Sequence, residues 1–210
     1  MKKLRYYYGT MNSMKSATLL MKAHQFEQAG CKVLLLKPDS DNRDVGEVKS
    51  RAIQYGRECI LFGKDVNLIH FMYTKMNKEI QGEDRIVLFF DESNFMTKEQ
   101  VRQLWELSKY HNMEIFCYGL KTNYKNKLID SSTELWLWAD TSEEIKSMCS
   151  KCESKATTHL LIIDGEIVFE GEDEITGDVL NKDKKKTKEG YLSVCQVCYD
   201  KEYRKYKGNE

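Results

Sequence analysis

The chain has 210 residues, enough for one α/β domain with a small appendage, and its 41% apolar content supplies a core of ordinary size. Its 33 basic and 33 acidic residues cancel, which excludes an overall positive field for nucleic acid or an anionic membrane and favours a specific small ligand. No apolar run approaches the roughly 20 residues of a bilayer span, and the start MKKLRYYYG lacks the apolar centre of an export signal, so the expected location is the cytoplasm.

In chain order, Leu4–Tyr8 predicts a first buried strand. It runs into Gly9-Thr10-Met11-Asn12-Ser13-Met14-Lys15-Ser16, a G-x-x-x-x-x-K-S spacing that opens the predicted helix Lys15–Ala29, which stops at Gly30. Such a turn wraps phosphates in backbone N–H groups at a helix N-terminus, with the lysine reaching the outer phosphates and the serine hydroxyl serving Mg²⁺. Met14 stands where the phosphate loop normally carries glycine; if the position requires φ > 0, a side chain there costs on the order of 1–2 kcal/mol.

Further apolar runs at Lys32–Leu36, Arg85–Phe90, Glu114–Leu120 and Glu134–Ala139 predict the remaining strands of a central parallel sheet. The third strand ends in Asp91-Glu92, two carboxylates at the carboxyl edge where α/β sheets form their ligand crevice. Asp91 suits a metal ligand and Glu92 a base, the two needs of phosphoryl transfer to an alcohol. Thr97, three residues before Gln100, predicts a capped helix over Thr97–His111 with Val101, Leu104, Trp105 and Ser108 on its sheet-facing side. Alternating strands and helices imply right-handed crossovers, and residues 1–145 are expected to form this nucleotide-binding domain.

From Met148 the character changes, and residues 146–210 are expected to form a second, zinc-binding domain. It should contain a hairpin, His159–Ile163 and Glu166–Phe169 around Asp164-Gly165, then a mobile loop over Glu170–Glu189 whose lysines at 182–188 read as a solvated charge run. Cys149-x-x-Cys152 and Cys195-x-x-Cys198 form two chelating pairs separated by 42 residues. In a reducing compartment the seven cysteines are not disulfide staples, and four thiolates close a tetrahedral shell around a structural Zn²⁺. Cys31, Cys59 and Cys117 read as core residues, and the four histidines show no ligand spacing.

Taken together, these segments resemble the zinc-containing, P-loop thymidine kinases, particularly bacterial and phage forms, along nearly the whole chain. Gly9 to Leu20 is similar to the family's G-x-M-x-S-G-K-S-T-x-L-L. Lys37-Pro38-Asp39-Ser40-Asp41-Asn42-Arg43 with Ser50-Arg51 resembles its D-x-R and S-R elements, and Asp91-Glu92-Ser93-Asn94-Phe95 its D-E-x-Q-F. Cys117 to Tyr124 is similar to Y-G-L-R-T-D-F, and Tyr191-Leu192-Ser193-Val194-Cys195 to Y-x-S-V-C.

The resemblance implies a P-loop α/β domain with a zinc-bearing lasso domain, a homotetramer, and ATP-dependent phosphorylation of thymidine or a related deoxynucleoside. It implies that Glu92 is the base for the 5′-hydroxyl, and that Gly9, Asn12, Ser13, Lys15, Ser16, Asp41, Arg43 and Asp91 serve the nucleoside triphosphate and Mg²⁺. Met11, Phe95, Leu120, Tyr124 and Tyr191 would enclose the nucleoside. Lys121, Asn123, Gln196 and the Ile175-Thr176-Gly177 stretch depart from the family pattern. With Met14, they leave a second reading open, a kinase-like binding protein of impaired turnover. Nucleic acid and membrane are not expected partners.

Overall fold

The computed structural model describes residues 2–41, 44–79, 85–171, 178–179 and 189–208. Among them two compact units separate, the first comprising Met1–Tyr8, Met14–Gly119 and Asp130–Glu143, the second Gly9–Ser13, Leu120–Ile129 and Glu144–Glu210. No helix among the described residues is long and apolar enough to cross a membrane.

The first unit is built on β1 (Leu4–Gly9), β2 (Lys32–Pro38), β5 (Ile60–Phe62), β6 (Ile86–Phe90), β7 (Glu114–Leu120) and β8 (Thr141–Glu144), in the order β5-β2-β6-β7-β1-β8. Pairing is parallel between β2 and β5, β2 and β6, and β6 and β7. The strands read as unbroken apolar runs because both faces are covered. On one face Leu36, Leu88, Phe90, Ile115 and Cys117 join Val101, Leu104 and Leu107 of α3 (Lys98–Tyr110) in the main core. On the other, Phe26 of α1 (Lys15–Gln28) meets Phe89 and Phe116 at 6.0 and 5.3 Å. Cys31 and Cys117 are buried and Cys59 half-buried.

Helix ends follow local chemistry. The C-terminus of α1 closes with Gly30 N–H on the Glu27 carbonyl and Cys31 N–H on that of Phe26, the paired bonds of a Schellman stop. Helix α3 carries the full capping box: Thr97 Oγ1 accepts from Gln100 N–H and Gln100 Oε1 from Thr97 N–H, both at 3.1 Å. The antiparallel pair β3 (Glu47–Ser50) and β4 (Tyr55–Glu58) lies outside the main sheet. A fork of two bonds from Arg57 to Glu27 ties it to α1. Helix α2 (Leu68–Glu79) begins where Gln103 Oε1 accepts from Leu68 N–H at 2.7 Å.

The run expected to be a strand over Glu134–Ala139 is instead helical, part of α4 (Asp130–Trp138). Asp130 stands in its first turn, where a carboxylate complements the helix N-terminus. Trp138 Nε1 donates to Glu134 one turn back at 3.0 Å, Leu135 is buried and Leu137 exposed, a three-to-four spacing that a strand would scramble. Trp138 packs on Trp105 of α3 with ring centroids 5.1 Å apart. The sixth sheet position goes to β8, whose sequence TSEE carries no apolar signal.

The second unit holds β10 (Glu166–Val168), β9 (Thr158–Ile163), β12 (Glu189–Val194) and β11 (Asp178–Val179) as one sheet in that order, followed by α5 (Gln196–Gly208). The hairpin predicted around Asp164-Gly165 is present, with Ile163 opposite Glu166. Leu160, Val194 and Phe169 share a core with Tyr199 of α5. Most of the predicted loop Glu170–Glu189, including Ile175-Thr176-Gly177 and the lysines at 182–188, lies outside the described residues.

Candidate active site and candidate metal centre

The turn into α1 is left-handed at the position the sequence singled out. Met14 sits at φ 62, ψ 27, in the left-handed region, and its side chain is 57% exposed. The positive φ that made a side chain costly is therefore present, and the methionine turns outward. No side chain caps the helix and its first turn carries no acid, so its N–H groups and partial positive charge remain suited to an anion. Lys15, the first helical residue, is buried.

Ser16 Oγ donates to Asp91 Oδ2 at 2.9 Å, joining the start of α1 to the carboxyl end of β6. The other oxygen, Asp91 Oδ1, is buried with no hydrogen-bond partner among the described residues. Burial and then the neighbouring Glu92 raise this carboxyl to about 6, against the opposing Ser16 hydroxyl and Lys15 ammonium. A desolvated carboxylate with an orphan oxygen, bonded to a serine hydroxyl, is an oxygen donor set that fits Mg²⁺.

Glu92 follows in a left-handed conformation, φ 49 and ψ 40, and starts the short 3-10 turn Ser93–Phe95. The turn approaches β7 so closely that a Cβ at Gly119 would lie 2.6 Å from Ser93 Oγ and 3.0 Å from Asn94 N. Ser131 Oγ holds the Asn94 carbonyl from α4 at 2.8 Å. Phe95 is half-buried. Asp41 is buried and pairs with Lys37, a residue that sequence reasoning did not single out although the i, i+4 charge spacing was there to read. Arg43 lies outside the described residues.

In the second unit, Met11, Tyr124 and Tyr191 form one buried cluster with Leu161, and Leu120 packs against it. Four of the five residues expected to enclose a nucleoside thus come together, along with Leu161, whose place in the hairpin strand gave no separate signal. The cluster is fixed by polar ties: Ser193 Oγ donates to the Met11 carbonyl at 2.5 Å and Tyr199 OH to the Tyr124 carbonyl at 3.0 Å. His159 is buried, its ring edge-on to Tyr191 at 5.3 Å. Gly9 is closely packed, since a Cβ would meet Ser13 Oγ at 2.3 Å and the Ile145 carbonyl at 2.7 Å. Asn12 is exposed with φ 61, and Ser13 is buried. Asn123, a departure from the resemblance, shapes its own turn: Oδ1 accepts from the N–H groups of Lys125 and Lys127 at 3.1 and 3.0 Å.

The sulfurs of Cys149, Cys152, Cys195 and Cys198 all lie within 4.8 Å of one another. Cys152 is 3.6 Å from Cys195 and 3.7 Å from Cys198. A tetrahedron with Zn–S bonds of about 2.3 Å has edges of about 3.8 Å, so the donor set fits zinc. Lys151 N–H and Cys198 N–H each approach a thiol at 3.4 Å, and hydrogen bonds from Ser154 draw the Cys152 thiol down to about 6. Both effects favour the thiolate that a metal requires, against which burial and then the neighbouring cysteines push the Cys198 thiol up to about 12.

Residues 2–199 match the family model described as thymidine kinase. The chain is 34% identical over 200 residues to the thymidine kinase of Streptococcus pyogenes serotype M3, covering 95% of this chain and 97% of that protein. The thymidine kinase of Haemophilus influenzae is 34% identical over 202 residues, with 95% and 96% covered. That of Pasteurella multocida is 35% identical over 202 residues, with 95% and 97% covered.

Proposed function

The chain belongs to the thymidine kinase family, and from that premise we propose that it transfers the γ-phosphoryl group of ATP to the 5′-hydroxyl of thymidine or a related deoxynucleoside. The observation that carries the proposal is the Ser16–Asp91 hydrogen bond with the buried orphan oxygen Asp91 Oδ1 beside it. This pairs the phosphate-turn hydroxyl with the strand-end carboxylate that nucleotide-handling P-loop proteins use together.

Lys15 and the N–H groups opening α1 bind the triphosphate, with Gly9, Asn12 and Ser13 shaping the turn and Asp41 and Arg43 beside the phosphates. Ser16 and Asp91 would hold Mg²⁺, which when bound offsets the charge of the phosphates. Glu92 accepts the proton of the 5′-hydroxyl. Met11, Phe95, Leu120, Tyr124 and Tyr191 enclose the nucleoside, the aromatic faces suiting a pyrimidine ring. The four cysteines hold a structural zinc, which leaves no open position for chemistry. We assign the nucleotide to residues 1–145 and the zinc-bearing lasso to residues 146–210, in a cytoplasmic homotetramer.

No observation favours impaired turnover, and the exposed side chain of Met14, in left-handed backbone, supports the active reading. Incubation with γ-labelled ATP, Mg²⁺ and thymidine should yield labelled thymidine 5′-phosphate. No transfer to thymidine or any other deoxynucleoside would sink the proposal.

A further inference from the structure

We infer that Lys37 is a positioning residue for the nucleotide side of the reaction, acting through Asp41; the inference rests on the kinase reading above. The Lys37 ammonium lies 2.9 Å from Asp41 Oδ2, with side chains only 4% and 2% exposed. It also donates to the Asp44 carbonyl at 3.3 Å, so one cation grips two points of the chain that follows β2. Asp41 N–H on the Pro38 carbonyl at 3.3 Å closes the same turn.

The place of this pair in the fold gives it a task. Asp91 N–H donates to the Leu36 carbonyl at 3.0 Å, so the end of β2 that carries Lys37 abuts the strand end that carries Asp91. Removing two charges from water is costly, and a buried ion pair is weak evidence of stabilisation for its own sake. Beside a triphosphate an uncompensated carboxylate would repel the ligand. Paired with Lys37, Asp41 becomes a fixed acceptor with little net charge. Lys37 is engaged with Asp41 and with the Asp44 carbonyl, so its task is to hold the carboxylate and the chain beside it.

The test compares Lys37→Met, Asp41→Asn and the double variant for the KM of ATP and of thymidine, with thermal melting to check folding. Lys37→Met should raise the KM for ATP about ten-fold or more, the scale of a misplaced binding group. The KM for thymidine should stay within about two-fold of the parent value. In the double variant the KM for ATP should equal that of Asp41→Asn, because nothing remains to be positioned. An unchanged KM for ATP in Lys37→Met, an equal rise for both substrates, or further loss in the double variant beyond Asp41→Asn would each overturn the inference. Should Lys37→Met fail to fold, the double variant, with neither charge left unpaired, decides the matter by the same equality. Wild-type protein that phosphorylates thymidine normally alongside an unaffected Lys37→Met overturns this inference alone; wild-type protein that transfers no phosphate overturns the kinase reading with it.

Discussion

The carboxyl edge of the first unit and the cysteine cluster of the second place their chemistry by opposite means. At the edge, side chains are held where the fold would be more comfortable without them: Met14 and Glu92 in left-handed backbone, Asp91 buried with an unsatisfied oxygen. At the cluster, the four thiols sit beside a small core that includes Leu160, Val194, Phe169 and Tyr199. One region gives up stability to hold a site, and the other would gain stability from a bound zinc. The difference teaches that loss of a functional residue should have opposite thermodynamic signs in the two units.

The largest expected effect breaks the cysteine side. Cys195→Ser should reduce bound zinc, measured by atomic absorption, from about one per chain to near zero, because three remaining ligands no longer close the shell. The second unit should then lose hydrogen-exchange protection; full protection without zinc would erase the contrast. On the other side, Glu92→Gln should lower kcat about a hundred- to ten-thousand-fold, the range for a lost general base, with a melting temperature no lower than the parent's.

Asp91 sharpens the comparison further because its effect depends on pH. Its folded value of about 6 lies above the usual 3.8, so folding favours the protonated carboxyl. That contribution is fully present below about pH 3.8 and is lost as the pH rises through about 6. At neutral pH the ionised group therefore opposes folding. Asp91→Asn should melt at a higher temperature than the parent at pH 7, with the gap closing toward pH 4, while losing the Mg²⁺-dependent stabilisation given by ATP. A lower melting temperature at pH 7 would contradict the assignment of strain to this edge. The smallest effect belongs to Met14→Gly, which should relieve about 1 kcal/mol of left-handed strain in a denaturant titration.

Much of this arrangement was legible because it rests on local chemistry. The Thr97–Gln100 capping box, the Asp164-Gly165 hairpin and the apolar strands read directly from residue order, since caps, turns and two-sided burial each leave a pattern of their own. Glu134–Ala139 misled because a short apolar, tryptophan-rich run fits either a strand or a helix, and only its neighbours decide. The true edge strand, Thr141–Glu144, is polar and so left no periodic signal. Asp91 and Glu92 announced themselves by position at a strand end. Lys37 offered only its i, i+4 spacing from Asp41, and the burial of the pair is displayed by the folded chain alone.

The placement of the three tryptophans gives the molecule a built-in optical label. Trp105 belongs to α3 and Trp136 and Trp138 to α4, so every indole lies in the first unit, whereas the second carries phenols such as Tyr124, Tyr191 and Tyr199. Emission excited selectively in the indole band follows the first unit alone. Paired with far-ultraviolet dichroism, it resolves melting of one unit from the other without any attached dye, and a chelator that unravels only the second unit should leave the indole spectrum as it was.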